Sequence, residues 1–511
     1  MPRFSLPLIH DLTARTVAGS LTNSTYMQNA VVKIDQGTHK ILKRGALKEL
    51  LNIGTISILA ITPKVSNSTQ EFLFVGRDTA DDSCKLYSMS SLTATPAAVK
   101  TIYSAGGLTY NAACTITVVT NTFNNSLYHI QFHPTTYGSL YSGWVYDSVA
   151  ATLTEITDAD YLNSAGHSTY PGAGTLDGYI FVVGSEGKII NNTSPFILTG
   201  YNALGYITPD GNGGAPIRVE SYKNHIVCFG TKAIEFFYDA ANASPASPLS
   251  ARLDLIFNYG ILQQTKYRQI WKAPSGESLS FIGINSTGKP FVGMFEEFNL
   301  TKISNEAIDL WLTNNTAAST ALSGISFAGE DFIVLSVDGT GVFMYQVSTK
   351  IWSVLSSSLF STHTIIHDIL NGYSGYSIVL IKNSSNNYGK VYYVDNSAFQ
   401  DTDSTPTSYN ITRIIQTNRF RGPEGDQSSR KFQHELQLIS DTATSAGTVS
   451  VTYTDDDYQN FSTARTIDMT STKKQLQRLG YFRERAFKLS DTLTEQVRLE
   501  LLEGQIQIGT N

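Results

Sequence analysis

The stretch from His225 to Asp239, HIVCFGTKAIEFFYD, shows in fifteen residues the pattern that the chain repeats. Ile226 to Phe229 is an apolar, partly β-branched run of strand length, and Ala233 to Tyr238 is a second one. Gly230 is the one residue between them that readily adopts a positive φ, so we predict that it forms the turn of a tight hairpin.

Hairpins of this kind recur at intervals of roughly 45 to 60 residues, which is the spacing of β-propeller blades. The sequence therefore predicts an all-β protein with a propeller-like core of about six or seven hairpin-based blades. A pair of β-sandwiches is the alternative. Besides His225 to Asp239, the predicted hairpins join Phe72–Val75 to Lys85–Met89, Leu127–Phe132 to Ser142–Tyr146, Tyr179–Gly184 to Lys188–Ile190, Leu279–Ile284 to Phe291–Phe295, Asp331–Val337 to Gly341–Val347 and Tyr376–Lys382 to Lys390–Val394.

Composition supports the all-β assignment and argues against several classes of function. Charged residues make up only 16% of the 511 residues, and Ser, Thr, Asn, Gly and Tyr take their place. The net charge of −6 argues against a nucleic-acid grip, which needs clustered Lys and Arg. No apolar run is long enough to span a membrane, and the first residues lack the apolar segment of a signal peptide. Three isolated cysteines, Cys84, Cys114 and Cys228, suggest folding in a reducing cytoplasm.

The chain divides into three predicted parts. Residues 1–30 lack a sustained period and are interpreted as an extended arm. Residues 31–408 form the propeller-like core, which opens with a hairpin at Gly37 and is interrupted by insertions around 195–216 and 240–260. Residues 409–511 are richer in charge but still have strand patterns, so we predict a separate β-sandwich-like domain there.

Two stretches resemble ligand-binding loops without completing the motif. Gly283 to Lys289 has the GxxxxGK spacing of a phosphate-binding loop, but Pro290 replaces the hydroxyl residue that holds Mg²⁺ and a strand follows instead of a helix. A hairpin turn is the better interpretation. Asp455-Asp456-Asp457 resembles the start of a calcium loop, but the sixth-position Gly and the closing Glu are missing. We interpret it as a turn, with weak divalent binding as the alternative.

Two histidine pairs, His129 with His133 and His363 with His367, have a spacing of four residues. On a helix this spacing presents both rings to one metal ion, whereas on a strand the two lie roughly 13 Å apart. Both pairs lie in strand-like or turn-bounded sequence without a third ligand. We therefore expect solvent-facing or hydrogen-bonded histidines, no metal site, no catalytic residue and no cofactor.

The densest basic cluster is in Arg478 to Leu489, RLGYFRERAFKL, where Arg478, Arg483 and Arg485 accompany Glu484. One interpretation is a solvated strand face with local ion pairs, each worth under about 1 kcal/mol. The other is a contact with a subunit or an adaptor, because arginine is enriched at interfaces and forms bidentate pairs with carboxylates. On the second interpretation, charge reversal at Arg483 and Arg485 blocks assembly and leaves the chain folded.

Several stretches taken together resemble the tail hub, or nozzle, proteins of short-tailed bacteriophages, the family of packaged-DNA stabilisation proteins. The resemblance covers nearly the whole chain and lies in the order of its parts rather than in one diagnostic motif. One departure is Gly45, which stands where the family usually has a proline after Arg44. The parts are QNAVVKIDQGTHKILKRGAL, NHIVCFGTKAIEFFYDA, FNYGILQQTKYRQI, SLSFIGINSTGKPFVGMF, GVFMYQVSTKIWSVL with Trp352, YTDDDYQNFS, RLGYFRERAFKL and EGQIQI.

This resemblance implies a structural virion protein of the phage tail, assembled in the host cytoplasm, that forms a ring of six copies below the portal and adaptor. Such a ring carries the DNA channel, retains the packaged DNA and holds fibres, spikes or a needle. It implies no catalysis and no sequence-specific DNA binding. The rival is a carbohydrate-binding or glycoside-hydrolase β-propeller, because paired carboxylates meet in space and not in sequence.

Overall fold

The alternation of apolar runs and turns becomes β-structure along most of the chain in the computed structural model. The structure describes residues 3–509 with the exception of 14–24, 36, 52–55, 65–70, 79, 82, 91–95, 104–112, 121–125, 134–141, 162–171, 185–186, 210–213, 263–268, 274, 316–319, 338–340, 360–363, 374–375, 384–388, 404–406 and 422–428.

Five strands in the described part of the N-terminal region precede the repeating units. They are β1 (Arg3–Pro7), β2 (Tyr26–Gln28), β3 (Ala30–Asp35), β4 (Thr38–Lys43) and β5 (Ala46–Leu51).

Seven groups of antiparallel strands then follow one another within the described residues, and each is a propeller blade. Blade one contains β6 (Ile56–Lys64), β7 (Glu71–Asp78), β8 (Cys84–Met89) and β9 (Ala97–Tyr103). Blade two contains β10 (Ala113–Thr120), β11 (Ser126–His133), β12 (Ser142–Asp147) and β13 (Thr152–Glu155). Blade three contains β14 (Ala173–Leu176), β15 (Tyr179–Val183), β16 (Ile189–Ser194) and β17 (Ile197–Ile207).

Blade four contains β18 (Pro216–Tyr222), β19 (His225–Gly230), β20 (Ile234–Asp239) and β21 (Leu249–Phe257). Blade five contains β22 (Gly260–Ile261), β23 (Ile270–Lys272), β24 (Ser278–Ile284), β25 (Pro290–Glu296) and β26 (Asn299–Lys302), and helix α1 (Glu306–Asn314) follows it. Blades six and seven contain β27 (Thr320–Phe327), β28 (Glu330–Val337), β29 (Gly341–Gln346) and β30 (Ile351–Leu355); and β31 (Thr364–Tyr373), β32 (Tyr376–Asn383) and β33 (Gly389–Asp395).

The remaining strands complete the chain. They are β34 (Gln400–Thr402), β35 (Ser408–Asn410), β36 (Arg413–Gln416), β37 (Lys431–Ser440), β38 (Thr448–Thr454), β39 (Arg465–Asp468), β40 (Gln475–Phe482), β41 (Ala486–Asp491) and β42 (Leu499–Ile508).

Each of the seven hairpins predicted for the blades is the second and third strand of a blade. The hairpin at Gly230, for example, pairs β19 with β20, with Ile226 opposite Phe237 and Phe229 opposite Ile234. Because the middle strands of a blade are covered on both faces, they have the most continuous apolar sequence. The propeller prediction is confirmed, and the described residues form seven blades.

Aromatic rings fill the space between neighbouring blades. Between blades four and five, the rings of Phe229 and Phe281 lie 5.5 Å apart, and those of Phe236 and Phe295 lie 5.3 Å apart in an edge-to-face arrangement. All four side chains are fully buried. Full burial of one such side chain stabilises the fold by about 2 to 3 kcal/mol, so the blade-to-blade contact is hydrophobic in origin.

An N-terminal strand closes the propeller. Strand β5 supplies the fourth strand of blade seven and pairs antiparallel with β33, with Leu47 opposite Val394. Arg44, which precedes it, is fully buried and donates two hydrogen bonds to Asp401, at 2.9 and 2.7 Å. The same carboxylate accepts from the Leu47 backbone N–H at 2.7 Å and from the Ser357 hydroxyl at 2.5 Å. Asp401 thus joins the closing strand to the end of blade six.

The second unit is a β-sandwich built from both ends of the chain. One sheet contains β1, β3, β4, β42, β37 and β40, and the other contains β36, β41, β38 and β39, which β2 connects to blade six. Phe4 stacks on Phe420 at 4.0 Å, and Leu6 lies opposite Leu502 in the register of β1 and β42. Strand β1 of the predicted arm, and β3 and β4 of the predicted opening hairpin, are therefore strands of this sandwich. Their local pattern contains no information about a partner more than 400 residues away.

The two predicted insertions have a different structure from the one expected. Residues 197–207 and 249–257 are β17 and β21, the outer strands of blades three and four. Outer strands face solvent on one side, so their sequences lack a continuous apolar run; Leu253 is 81% exposed, for example. Between β20 and β21 the chain forms only a short loop, which contains a cis peptide bond before Pro245.

Candidate interaction surfaces

The structure separates the three arginines of the predicted interface. Arg478 and Arg483 are exposed on or beside β40, whereas Arg485 is 1% exposed. Its guanidinium forms a bidentate pair with Asp455, at 2.8 and 2.7 Å, and also donates to the Leu479 carbonyl at 2.9 Å. The interface prediction is therefore corrected for Arg485, which stabilises the interior of the sandwich.

Two aromatic rings explain why Arg485 tolerates burial. Its guanidinium carbon lies 3.9 Å from the centroid of the Tyr453 ring and 4.5 Å from that of Phe482. With the ion pair to Asp455 and a further hydrogen bond to Gln433 at 3.1 Å, nearly every donor of the side chain has a partner. The sequence shows the arginines but not this difference in burial.

Arg478 and Arg483 belong to an exposed surface that we call the arginine–aromatic patch, which consists of Arg430, Phe432, Arg478, Tyr481 and Arg483. Tyr481 is 61% exposed, and its ring lies 4.8 Å from that of Phe432 on the neighbouring strand. The Arg430 guanidinium lies 5.2 Å from the Tyr481 ring. Sequence analysis does not identify this surface in full, because Tyr481, Phe432 and Arg430 meet only through the pairing of β37 with β40.

A second surface is a cavity of about 660 Å³ at the edge of blades five and six, which we call the acidic recess. Four exposed acidic residues line it, namely Glu277, Glu296, Glu297 and Asp331. Trp271 forms an apolar part of its wall, and Lys223 is its one lysine or arginine among the described lining residues.

The acids of the recess act on the tyrosines beneath it. Burial, together with the carboxylates of Glu296 and Glu297, raises the pKa of Tyr222 to about 12. Burial and the Glu296 carboxylate also raise the pKa of Tyr345 to about 12. Burial is the larger cause of both shifts, and the carboxylates add to it in the same direction, because both disfavour a negatively charged phenolate.

The loop-like motifs have simple structural roles. Gly283 to Lys289 joins β24 to β25 as a hairpin turn, in which Gly288 has a φ of +79° and the Asn285 side chain accepts from the Thr287 and Lys289 N–H groups at 3.0 and 2.9 Å. The turn interpretation is confirmed, because a strand and not a helix follows Lys289.

The three aspartates of the calcium-like loop point to three different partners. Asp455 pairs with Arg485, and Asp457 lies 3.2 Å from Arg419. Asp456 accepts from the backbone and side-chain N–H groups of Asn460 at 2.9 and 2.6 Å, and these bonds lower its pKa to about 2. The carboxylates do not converge. Among the described residues no group of three potential metal ligands occurs.

The histidine prediction is wrong for His129. This residue of β11 is fully buried, and in the part of the chain that the structure describes neither ring nitrogen has a hydrogen-bond partner. Burial lowers its pKa to about 4. The strand assignment for His129 and His133 is correct, but the side chains of His133 and His367, and all of His363, lie outside the described residues.

Gly230 lies at the predicted hairpin but not in the predicted conformation. It is the last residue of β19 and is not among the residues with positive φ, and Thr231, Lys232 and Ala233 connect the strands. A Cβ on Gly230 would lie 3.0 Å from the Ala233 carbonyl oxygen and 3.2 Å from that of Ala215. The physical reason for glycine is thus the close approach of two backbone segments.

These features define a class of protein, an all-β chain in which a seven-bladed propeller is fastened to a sandwich that both chain ends build. Residues 139–399, just over half of the chain, match the family model described as bacteriophage P22 Gp10, beta-propeller. The chain therefore belongs to this phage stabilisation family, whose members are structural proteins that stabilise packaged DNA, and it is a protein of the phage virion.

The other comparisons give only distant likenesses. The comparison with curated proteins gives no match. Among solved structures, the chain is similar to a prolyl endopeptidase, with 8% identity over 71% of this chain and 54% of that chain and a TM-score of 0.36. It is also similar to an oligogalacturonate lyase from Vibrio parahaemolyticus, with 10% identity over 72% of this chain and 96% of that chain and a TM-score of 0.35. Likenesses this distant carry no argument about activity. Within the described residues, none of the helices has the length and apolar character needed to cross a membrane.

Proposed function

We propose that this protein is the tail hub, or nozzle, of a short-tailed phage: a ring, most simply of six copies, below the portal and adaptor. In this position it surrounds the DNA exit channel, retains the packaged DNA and anchors fibres, spikes or a needle. The family match over residues 139–399 is the observation that carries the proposal.

Three properties of the chain support this role. The net charge of −6 suits a conduit through which DNA slides without being held. The three cysteines are buried and free, as expected for assembly in a reducing host cytoplasm. The propeller and the sandwich each offer charged surfaces to neighbouring subunits. The proposed role uses no catalysis, cofactor or metal ion.

Electron cryomicroscopy of whole virions tests the proposal. We expect a ring of this chain directly below the adaptor, with DNA density on its axis. Particles assembled without the chain are expected to lose their DNA, measured as the fraction of packaged DNA that becomes sensitive to nuclease. A single copy per virion, or a position at the tip of a fibre, contradicts the proposal. Release of reducing sugar from host surface glycans by the purified chain would favour the glycoside-hydrolase rival.

A further inference from the structure

Five arginines of the sandwich have a carboxylate partner, whereas Arg465 donates to the Gln477 carbonyl at 2.8 Å instead. Arg413, Arg419, Arg421, Arg485 and Arg498 each lie within ion-pair distance of a carboxylate. The three arginines of the arginine–aromatic patch do not: in the described residues no acid pairs with Arg430, Arg478 or Arg483. Three exposed arginines without an acidic partner thus lie on or beside the same stretch of β37 and β40 as the exposed ring of Tyr481, and the nearest of them, Arg430, lies 5.2 Å from that ring.

An exposed tyrosine with arginines nearby is typical of the centre of a protein–protein interface. Tyr and Arg are among the residues that contribute most to protein–protein binding, and Tyr481 already has one side of its ring supported by Phe432. Single-stranded nucleic acid also binds to aromatic and arginine side chains. However, the net charge of −6 opposes DNA binding, so a protein surface with excess negative charge is the favoured partner.

The acidic recess has the complementary properties. Glu277, Glu296 and Glu297 are exposed, and none of them has an ion-pair partner in the described residues. A cavity of about 660 Å³ is large enough to admit a tyrosine together with the ends of arginine side chains, and Trp271 offers an apolar wall for the ring. The patch and the recess belong to different units of the chain, the sandwich and the propeller.

We propose that the arginine–aromatic patch of one copy docks into the acidic recess of a second copy. The contact is head-to-tail, because it joins two different surfaces, and head-to-tail contacts generate closed rings when the rotation between copies closes. The inference rests on the proposed function and deepens it, since it names the two surfaces that form the ring. Tyr481 fills the recess, and Arg478 and Arg483 form charge-assisted hydrogen bonds with Glu296 and Glu297.

Cysteine cross-linking in assembled tails distinguishes this contact from others. The variant that carries both Arg483→Cys and Glu297→Cys is expected to form a ladder of disulfide-linked oligomers under mild oxidation with copper phenanthroline. Each single variant is expected to remain monomeric on non-reducing gels, and a mixture of the two single variants is expected to give dimers only. The native cysteines are buried and supply no background. Dimers from Arg483→Cys alone would overturn the proposal, because they require patch to meet patch.

A charge exchange supplies the second test. Arg478→Glu with Arg483→Glu is expected to reduce tail assembly at least tenfold, and Glu296→Lys with Glu297→Lys is expected to do the same. All four changes together are expected to restore assembly to within threefold of the parent. Lys473→Glu, an exposed change elsewhere on the sandwich, is the matched control and should assemble normally. Unchanged melting temperatures show that each variant is folded.

The outcomes separate this inference from the proposed function. If the chain forms a ring below the adaptor but the double-cysteine variant gives no ladder and the charge exchange does not restore assembly, the proposed contact is wrong and the proposed function stands. If the chain forms no such ring, both the proposed contact and the proposed function are wrong. If reversal of the arginines instead weakens salt-dependent binding of the purified chain to a single-stranded oligonucleotide and leaves assembly unchanged, the patch is a nucleic-acid surface and the proposal fails.

Discussion

Burial decides what an arginine does, and Arg485 and Arg483 differ in burial although they are two residues apart. We expect Arg485→Ala to lower the free energy of unfolding by about 2 to 4 kcal/mol, because it removes a buried side chain from contact with two aromatic rings and leaves the Leu479 carbonyl without its donor. Arg483→Ala is the control and is expected to change stability by less than about 0.5 kcal/mol. Urea denaturation of both variants measures the difference. Equal stability would show that Arg485 is not a structural residue.

His129 gives the propeller a dependence on pH. Its folded pKa of about 4 lies below its ordinary value of 6.5, so the unfolded chain binds more protons between these values and stability falls as pH falls. His10 is shifted in the same direction, also to about 4. Between pH 7 and pH 5 each histidine is expected to remove about 2 kcal/mol. His129→Leu should therefore eliminate about half of this loss. A pH dependence identical to that of the parent would contradict the prediction.

At the scale of elements, the sequence predicted the middle of each blade and missed its edges. The second and third strands, such as β24 and β25, are mostly apolar and buried, so their pattern is visible without any knowledge of their neighbours. Outer strands such as β21 have side chains that face partly the blade and partly solvent. Their sequences therefore resemble those of insertions. Some first strands are short or irregular, as in the four-residue β14 and the two-part β22 and β23.

The candidate surfaces were predictable only in part, for a related reason. The arginines stand together in sequence, so their density was visible, but Tyr481 and Phe432 meet only across paired strands. The acidic recess is assembled from turns of two blades, with Glu296 and Asp331 in different sheets. Pairing of this kind is set by register and blade order, and one local stretch contains neither.

Gly230 tests whether its hairpin needs a small side chain or an unusual backbone angle. Gly230→Ala is expected to cost more than about 1 kcal/mol, because the added Cβ would lie 3.0 Å from a backbone oxygen that cannot easily move. Gly341→Ala is the matched control: Gly341 begins β29, is not among the positive-φ residues, and an added Cβ would lie 3.7 Å from its nearest neighbour, the Trp311 ring. Thermal unfolding measures both. If the two variants unfold at the same temperature, close approach does not explain the glycine.

At the scale of the whole molecule, the fold depends on contacts between residues far apart in sequence. The closing strand β5 lies about 340 residues from its partner β33, and such long-range pairing carries a large cost in loop-closure entropy. Asp401 offsets part of this cost because its carboxylate holds Arg44, the Leu47 N–H and Ser357 together. We expect Asp401→Asn to lower the free energy of unfolding by about 3 to 5 kcal/mol, since the buried Arg44 then lacks its counter-charge.

The location of the damage is the sharper part of this prediction. Hydrogen exchange followed by mass spectrometry is expected to show faster exchange in β5 and β33, which lose their anchor, and little change in blades three and four on the opposite part of the ring. Asp254→Asn is the matched control, because its pair with Arg252 is exposed and contributes little. Faster exchange spread evenly over all seven blades would show that the propeller opens as one cooperative unit, and that β5 is not its point of closure.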